Sequence, residues 1–355
     1  MKCSFTGKKI SAILSVLPEM ETSFEDSLKT ESISRARRLK KIMGFDKRRR
    51  VKPDTNISDM FLYGAKYILE NDWIKKEEIG AIVVVTLTQD YLVPQVSEII
   101  HGELGLSSDV VCIDIAQGCA GYVVGLIEGF SLLDCLTGKK LLLFTGDILN
   151  RIRDDEEKTE EPHFGGDAAT ISIIENDDSV GESYFRFYTD GLSGEDLIMP
   201  GGAFKHPLYS KTEKKITLDD GRCGDALSIW MDGSDVFNFI QKEVPGLIEE
   251  VLKDSDLDEE DVDWYFFHQP NRYILEKLAE RCGIAKEKMP MSTTEKYGNS
   301  NSSTIPVTIV DAAQKDLQEK MYSCCVSGFG SGLTWAAGVL KIGCMDNCKM
   351  IISDL

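Results

Sequence analysis

No apolar run in this sequence is long enough to cross a bilayer. Its hydrophobic stretches are broken by Glu or Gly within about 12 residues, short of the roughly 20 a membrane helix needs. The N-terminal Lys2, Lys8 and Lys9 are followed by an apolar stretch, residues 10–17, that serines interrupt and no small-residue cleavage site follows, so no signal peptide is expected. Low-complexity tracts are missing too. The ten cysteines lack metal-ligand or disulfide-framework spacing: Cys344 and Cys348 lie near the end and Cys324 and Cys325 are adjacent, but no histidine or second pair accompanies either. They are expected to be reduced thiols, with no metal site. Net positive charge is also lacking. The formal charge of −19 argues against nucleic acid as a partner. A cytoplasmic protein is expected.

What the chain does have is length and alternation. Its 355 residues suffice for two ordinary domains or one large duplicated fold. The acidity is uneven. Between residues 35 and 52 stand ten basic side chains, Arg48, Arg49 and Arg50 among them, against the single acid Asp46. That segment reads either as a solvated, partly helical face or as a docking site for an anionic partner, such as a phosphorylated cofactor or an acidic carrier protein. Acid-rich stretches at 154–161 and 254–263 read as solvated loops or helix starts.

Cys119 is the most informative residue. The β-branched run at 110–115 reads as a buried strand, and beyond Gly118-Cys119-Ala120-Gly121 the apolar residues Tyr122, Val123, Leu126, Ile127, Phe130 and Leu133 recur at helical spacing. The thiol thus falls at the first turn of a helix, where unpaired backbone N–H groups and the macrodipole favour a thiolate and can hold an oxyanion. Taken alone, Cys119 suits equally well a small core residue among glycines.

The chain then repeats itself. A strand at 79–87, a helix at 96–104, a second strand and Gly118-Cys119 before a helix correspond to a strand at 262–267, a helix at 274–279 and Gly298-Asn299 before the helical run 305–313. One offset, close to half the chain, relates Gln89 to Gln269, Gly118 to Gly298 and Cys119 to Asn299. A duplicated α/β unit is expected, with halves at 1–177 and 178–355, and with Cys119, Asn299 and His268 facing one another about a pseudo-twofold axis.

Those residues bring a family into view. Cys119-Ala120-Gly121, Phe164 to Ala169, His268-Gln269-Pro270-Asn271, Tyr297-Gly298-Asn299-Ser300 and the glycine-rich run from Gly328 to Trp335 together resemble the signatures of β-ketoacyl-acyl carrier protein synthase III, in the thiolase superfamily. The resemblance implies a thiolase-like, duplicated αβαβα five-layer fold, usually a homodimer, with a Cys-His-Asn triad. It implies that Cys119 takes an acyl group from a thioester, and that His268 and Asn299 hydrogen-bond the thioester carbonyl of a malonyl unit as decarboxylation makes it an enolate. It further implies an oxyanion hole from the N–H groups of Cys119 and Ser331, and substrate contacts by Asn271, Arg272, Val93, Gly330 and Gly332. No cofactor is implied as permanently bound. The substrate is a phosphopantetheine thioester.

Departures from the family pattern bear on the donor. Where typical members place a Trp and an Arg for coenzyme A, this chain has Arg38 and Ile42, and the arginine after the His-Gln-x-Asn motif is Tyr273, with Arg272 one position early. Delivery by acyl carrier protein is therefore expected over coenzyme A, with docking at Arg48, Arg49, Arg50 and Lys277. Val93, where the family usually has an aromatic residue, is expected to admit a longer or branched chain. A rival reading is acyl transfer to an alcohol or amine, with no carbon-carbon bond formed. A non-catalytic partner subunit and a cysteine peptidase are further alternatives. Retention of Cys119 speaks against the first, and the Gly-Asn-Ser and Gly-Phe-Gly-Ser-Gly segments against the second.

Overall fold

The computed structural model describes residues 1–26, 33–152, 164–207, 215–218 and 220–355; the acid-rich stretch at 154–161 lies outside them. In chain order the first half supplies β1 (Lys2–Thr6), β2 (Lys8–Pro18), β3 (Glu21–Ser23), α1 (Ile33–Met43), β4 (Lys47–Arg49), α2 (Ile57–Glu70), β5 (Ile79–Val85), α3 (Val96–Leu104), β6 (Val111–Ile115), α4 (Gly121–Leu133), β7 (Lys140–Asp147) and β8 (Ala168–Asn176). The second supplies β9 (Glu182–Thr189), β10 (Leu197–Ile198), β11 (Lys215–Thr217), β12 (Cys223–Asp225), β13 (Trp230–Met231), α5 (Gly233–Asp254), β14 (Trp264–Phe267), α6 (Arg272–Cys282), α7 (Thr293–Tyr297), α8 (Thr304–Glu319), β15 (Met321–Gly330), β16 (Thr334–Gly343) and β17 (Asn347–Ser353).

Two sheets dominate. One runs β17-β2-β8-β7-β5-β6 and the other β1-β9-β16-β15-β14. β5 is apolar and buried along its whole length, as a strand covered on both faces must be. Between the sheets lie α4 and α8, which contribute Tyr122, Phe130, Ile305 and Ile309 to a core shared with both. Outside the first sheet pack α2 and α3, and outside the second α5 and α6. The result is the expected order of five layers, αβαβα.

α4 needs its glycines to sit this close. A Cβ at Gly125 would lie 2.7 Å from the Leu143 side chain on β7, and one at Gly121 would lie 2.7 Å from Val85 on β5.

The duplication is visible in the sheet orders, with β2, β5, β7 and β8 matching β9, β14, β15 and β16. β6 has no such counterpart, so β14 ends its sheet. The expected division after residue 177 falls between β8 and β9, strands of different sheets, but the chain ends cross over it. β1 pairs antiparallel with β9, and β17 pairs parallel with β2. The two related glutamines also differ. Gln269 is buried and donates to the carbonyls of Phe267 at 3.0 Å and Pro290 at 2.9 Å, whereas Gln89 is exposed.

Candidate active site

The chemistry-bearing residues stand just past the C-terminal ends of strands from both sheets: Cys119 beyond β6, Asp147 at the end of β7, His268 after β14 and Ser331 after β15. Loops at such strand ends escape the pairing demands of the sheet and can aim side chains into the cleft between the layers.

Cys119 precedes the first turn of α4. Its thiol donates to Asn301 Oδ1 at 3.3 Å. The glycine-rich turn after β15 presses on it from the other side, for a Cβ at Gly330 would come within 2.7 Å of Cys119 Cβ and 2.8 Å of its sulfur. Backbone N–H groups of Cys119 and Ser331 reach the sulfur and favour its anion. Burial and the charge of Asp147 outweigh them, and the thiol is pushed up from 9.0 to about 12. The helix terminus therefore does not yield the resting thiolate expected from sequence. A helix dipole contributes at most about 2 kcal/mol, roughly 1.5 pH units, which is less than the opposing desolvation.

Asn301 was not foreseen, and it ties the site together. Its backbone has φ 57°, a left-handed conformation that asparagine tolerates better than most residues. Its N–H donates to Asn299 Oδ1 at 2.9 Å and its Nδ2 to Asp147 Oδ2 at 2.8 Å. Its carbonyl accepts from the Thr304 hydroxyl at 2.9 Å, and Thr304 Oγ1 is 2.7 Å from His268 Nδ1. Cys119 and Asn299 thus meet at Asn301, and His268 joins them through Thr304. The sequence signal was a second asparagine in the Gly-Asn-Ser-Asn-Ser-Ser segment, at a turn that favours positive φ.

Asn299 is held by its own backbone. Its N–H donates to Phe164 O at 2.8 Å and its carbonyl accepts from Gly166 N–H at 2.9 Å. Gly166 has no room for a side chain, since a Cβ there would fall 2.1 Å from Tyr297 O. Asn299 Oδ1 is engaged by the Asn301 N–H. His268 is buried, with its ring edge-to-face against Phe329 at 5.8 Å. Desolvation lowers it from 6.5 to about 3, so the imidazole is neutral at pH 7.

Most of the other expected residues have partners within the chain. Asn271 caps α6, its Oδ1 accepting from Ile274 N–H at 2.9 Å. Arg272 pairs with Glu295 at 3.1 Å and donates to Lys41 O at 3.0 Å, which binds α6 to α1. Gly332 has φ 136° and borders Thr334. Val93 is 81% exposed. Arg48 is only 3% exposed, with its Cβ beside Gly298, so it is unavailable to a docking partner; burial lowers it to about 10. Arg49 donates to the carbonyls of Pro18 and Glu19 and pairs with Glu21, while Arg50 is half-buried near Asp167. Lys277 pairs with Glu280 on its own helix at 2.7 Å.

Known proteins resemble this chain in sequence and fold. A family described as the C-terminal part of 3-oxoacyl-[acyl-carrier-protein] synthase III matches residues 252–342. A putative 3-oxoacyl-[acyl-carrier-protein] synthase 3 of Campylobacter jejuni is 30% identical over 344 residues, 96% of each chain. A β-ketoacyl-[acyl-carrier-protein] synthase III of Chlorobaculum tepidum is 30% identical over 274 residues, 76% of this chain and 80% of the relative. The crystal structure of a 3-oxoacyl-(acyl-carrier protein) synthase from Burkholderia xenovorans superposes with a TM-score of 0.90 at 26% identity, covering 99% of both chains.

Proposed function

The chain belongs to the β-ketoacyl-[acyl-carrier-protein] synthase III family of the thiolase superfamily, and from that premise we propose that Cys119, His268 and Asn299 carry its reaction. The protein is an acyl-transferring condensing enzyme that acts on thioesters, with acyl carrier protein as a substrate partner. The observation that carries the residue assignment is the hydrogen-bonded link of all three side chains through Asn301 and Thr304.

In the first half-reaction the Cys119 sulfur attacks the donor's carbonyl carbon and its proton ends on the departing thiol. The new thioester forms as the old one breaks. N–H groups of Cys119 and Ser331 stabilise the tetrahedral oxyanion between these events. In the second, a malonyl thioester loses carbon dioxide, and its enolate oxygen takes hydrogen bonds from Asn299 Nδ2 and His268 Nε2. Both donors are neutral, so they stabilise the enolate without quenching it by proton transfer. For Nε2 to donate, the Thr304 hydroxyl must turn its proton from the Asn301 carbonyl to Nδ1. The enolate carbon then attacks the acyl carbon, a carbon-carbon bond forms, and Cys119 leaves as a thiolate that takes a proton from water.

The donor is a phosphopantetheine thioester on a carrier protein, because this chain has Arg38 and Ile42 where coenzyme A is usually gripped. With Arg48 withdrawn into the interior, carrier docking falls to the exposed Arg38 and Lys41 of α1 and the half-buried Lys277 of α6, the helix joined to it. The active form is a homodimer. β6 is the outer strand of its sheet and carries Val111 and Ile113, each 38% exposed, and the loop after β5 exposes Tyr91, Leu92 and Val93. An open apolar edge of this kind is covered by a second copy. Ten free thiols suit a reducing, cytoplasmic setting.

The test is product identity. Acylated enzyme given malonyl-carrier protein is expected to release carbon dioxide and a 3-oxoacyl-carrier lengthened by two carbons. An ester or amide on another acceptor, with no carbon dioxide, would overturn condensation in favour of simple acyl transfer.

A further inference from the structure

A side-chain amide presents oxygen on one side and nitrogen on the other, and which side faces a thiol decides whether the thiol or the thiolate is favoured. Asn301 stands between Cys119 and Asp147. Asp147 is fully buried, and its two oxygens are divided. Oδ1 accepts from Leu87 N–H at 2.7 Å, Thr86 Oγ1 at 3.1 Å and Thr88 Oγ1 at 3.2 Å. Oδ2 accepts from Asn301 Nδ2 at 2.8 Å. A carboxylate has no proton to offer, so Asn301 can face it only with nitrogen. The amide oxygen is then obliged to face Cys119.

We propose that Asp147 is a positioning residue that sets the orientation of the Asn301 amide, so that Cys119 is kept as an aimed thiol until an acyl donor arrives. The inference rests on Cys119 as the nucleophile. The same geometry protects the sulfur from stray electrophiles and oxidants, which attack thiolates. Asp147 reinforces this with its charge, which disfavours a second anion close by. Among the described residues it is the charged group that acts on Cys119. His268, beyond Asn301 and Thr304, is neutral, and the neighbours on the β15 turn are glycines and Ser331. Asp147 is itself pushed up to about 6 by burial, so the clamp is half charged at that pH and gains charge as pH rises above it.

The substitution Asp147→Asn makes a directional test. Leu87 N–H must still be accepted, so the new amide turns its oxygen to Leu87 and its nitrogen to Asn301. Asn301 then flips, and an N–H donor replaces the acceptor at Cys119. Iodoacetamide alkylation, read by mass spectrometry on the Cys119 peptide across pH 6 to 10, reports the thiolate directly and requires no synthase turnover. Its outcome is therefore separate from whether the protein condenses malonyl units. At pH 8 the wild type is expected to alkylate slowly and Asp147→Asn at least about tenfold faster, the equivalent of one pH unit in the midpoint.

Asn301→Gly, at a φ that glycine adopts without strain, removes the amide and supplies an arm that does not depend on how Asp147→Asn folds. It is expected to raise the wild-type rate, and in its background Asp147→Asn is expected to add less than it does alone. Additive effects of the two substitutions would mean that Asp147 acts through charge only and would overturn the orienting role. So would a wild-type Cys119 that is already a thiolate at pH 7.

Discussion

The Cys119 sulfur lies 3.3 Å from the Asn301 amide oxygen, and the thiol is the donor. As the proposed nucleophile, Cys119 therefore rests protonated and already aimed. In the proposed reaction the thiol loses its proton only when the donor arrives, which separates this site from those in which a helix terminus alone makes a thiolate.

The turn that presses on the sulfur has no slack. Gly330→Ala would place a methyl group 2.8 Å from Cys119 Sγ. Because displacements of about 1 Å cost on the order of 10²-fold in rate, acyl loading is expected to fall by about that factor while the circular dichroism spectrum is unchanged. Stopped-flow loading kinetics check it.

His268 is expected to stay neutral throughout the working range. Its pKa of about 3 lies below the ordinary 6.5. Between those values the unfolded chain takes up a proton that the native site refuses, so this residue's effect is to lower native stability as pH falls from 6.5 towards 3. Asp147, raised to about 6 from 3.8, works in the opposite direction between those limits. Because the two oppose each other, imidazole NMR is the cleaner measurement. A His268 resonance that shows no titration above pH 5 agrees with this account, and a midpoint near 6.5 contradicts it.

Carrier docking on α1 and α6 predicts a split between large and small donors. Reversing charge at Lys41 and Lys277 is expected to raise KM for an acyl-carrier substrate several-fold. Loading from a short acyl-thioester lacking the carrier should not change. Equal loss with both donors would place the defect in the active site instead.

Phe130 fills the layer between the sheets, edge-to-face with Phe5 at 5.6 Å and Phe185 at 5.8 Å. Phe130→Ala is expected to destabilise the fold by about 3–5 kcal/mol, from lost burial and the cavity left behind. Urea unfolding measures it.

At the exposed edge of the first sheet, Val111→Lys with Ile113→Lys should convert the proposed dimer to monomer in sedimentation velocity. A monomeric wild type would remove the dimer from this account.

The layered fold was legible because its signals are local and duplicated. The β5 run and the apolar spacing of α4 each carry their own periodicity, and the offset between Cys119 and Asn299 exposed the repeat. The crossing of β1 and β17 into opposite sheets was hidden, since strand pairing across the whole chain leaves no local pattern. Arg48 was misread as a surface charge for a related reason: a run of three arginines reveals nothing of which side the short strand β4 buries. Asn301 and Asp147 went unseen because their roles exist only where the two sheets meet. An acid closing the apolar strand β7 was the available hint. For Cys119 the helix terminus was read correctly, but desolvation, which sequence does not display, governs the sign of the shift.

Intact-mass measurement after exposure to a panel of acyl-carrier thioesters tests the central claim most directly. Wild-type protein is expected to gain one acyl group, located on the Cys119 peptide, and Cys119→Ala none. An acyl group on Cys119→Ala, or no loading of the wild type by any donor, would contradict Cys119 as the nucleophile.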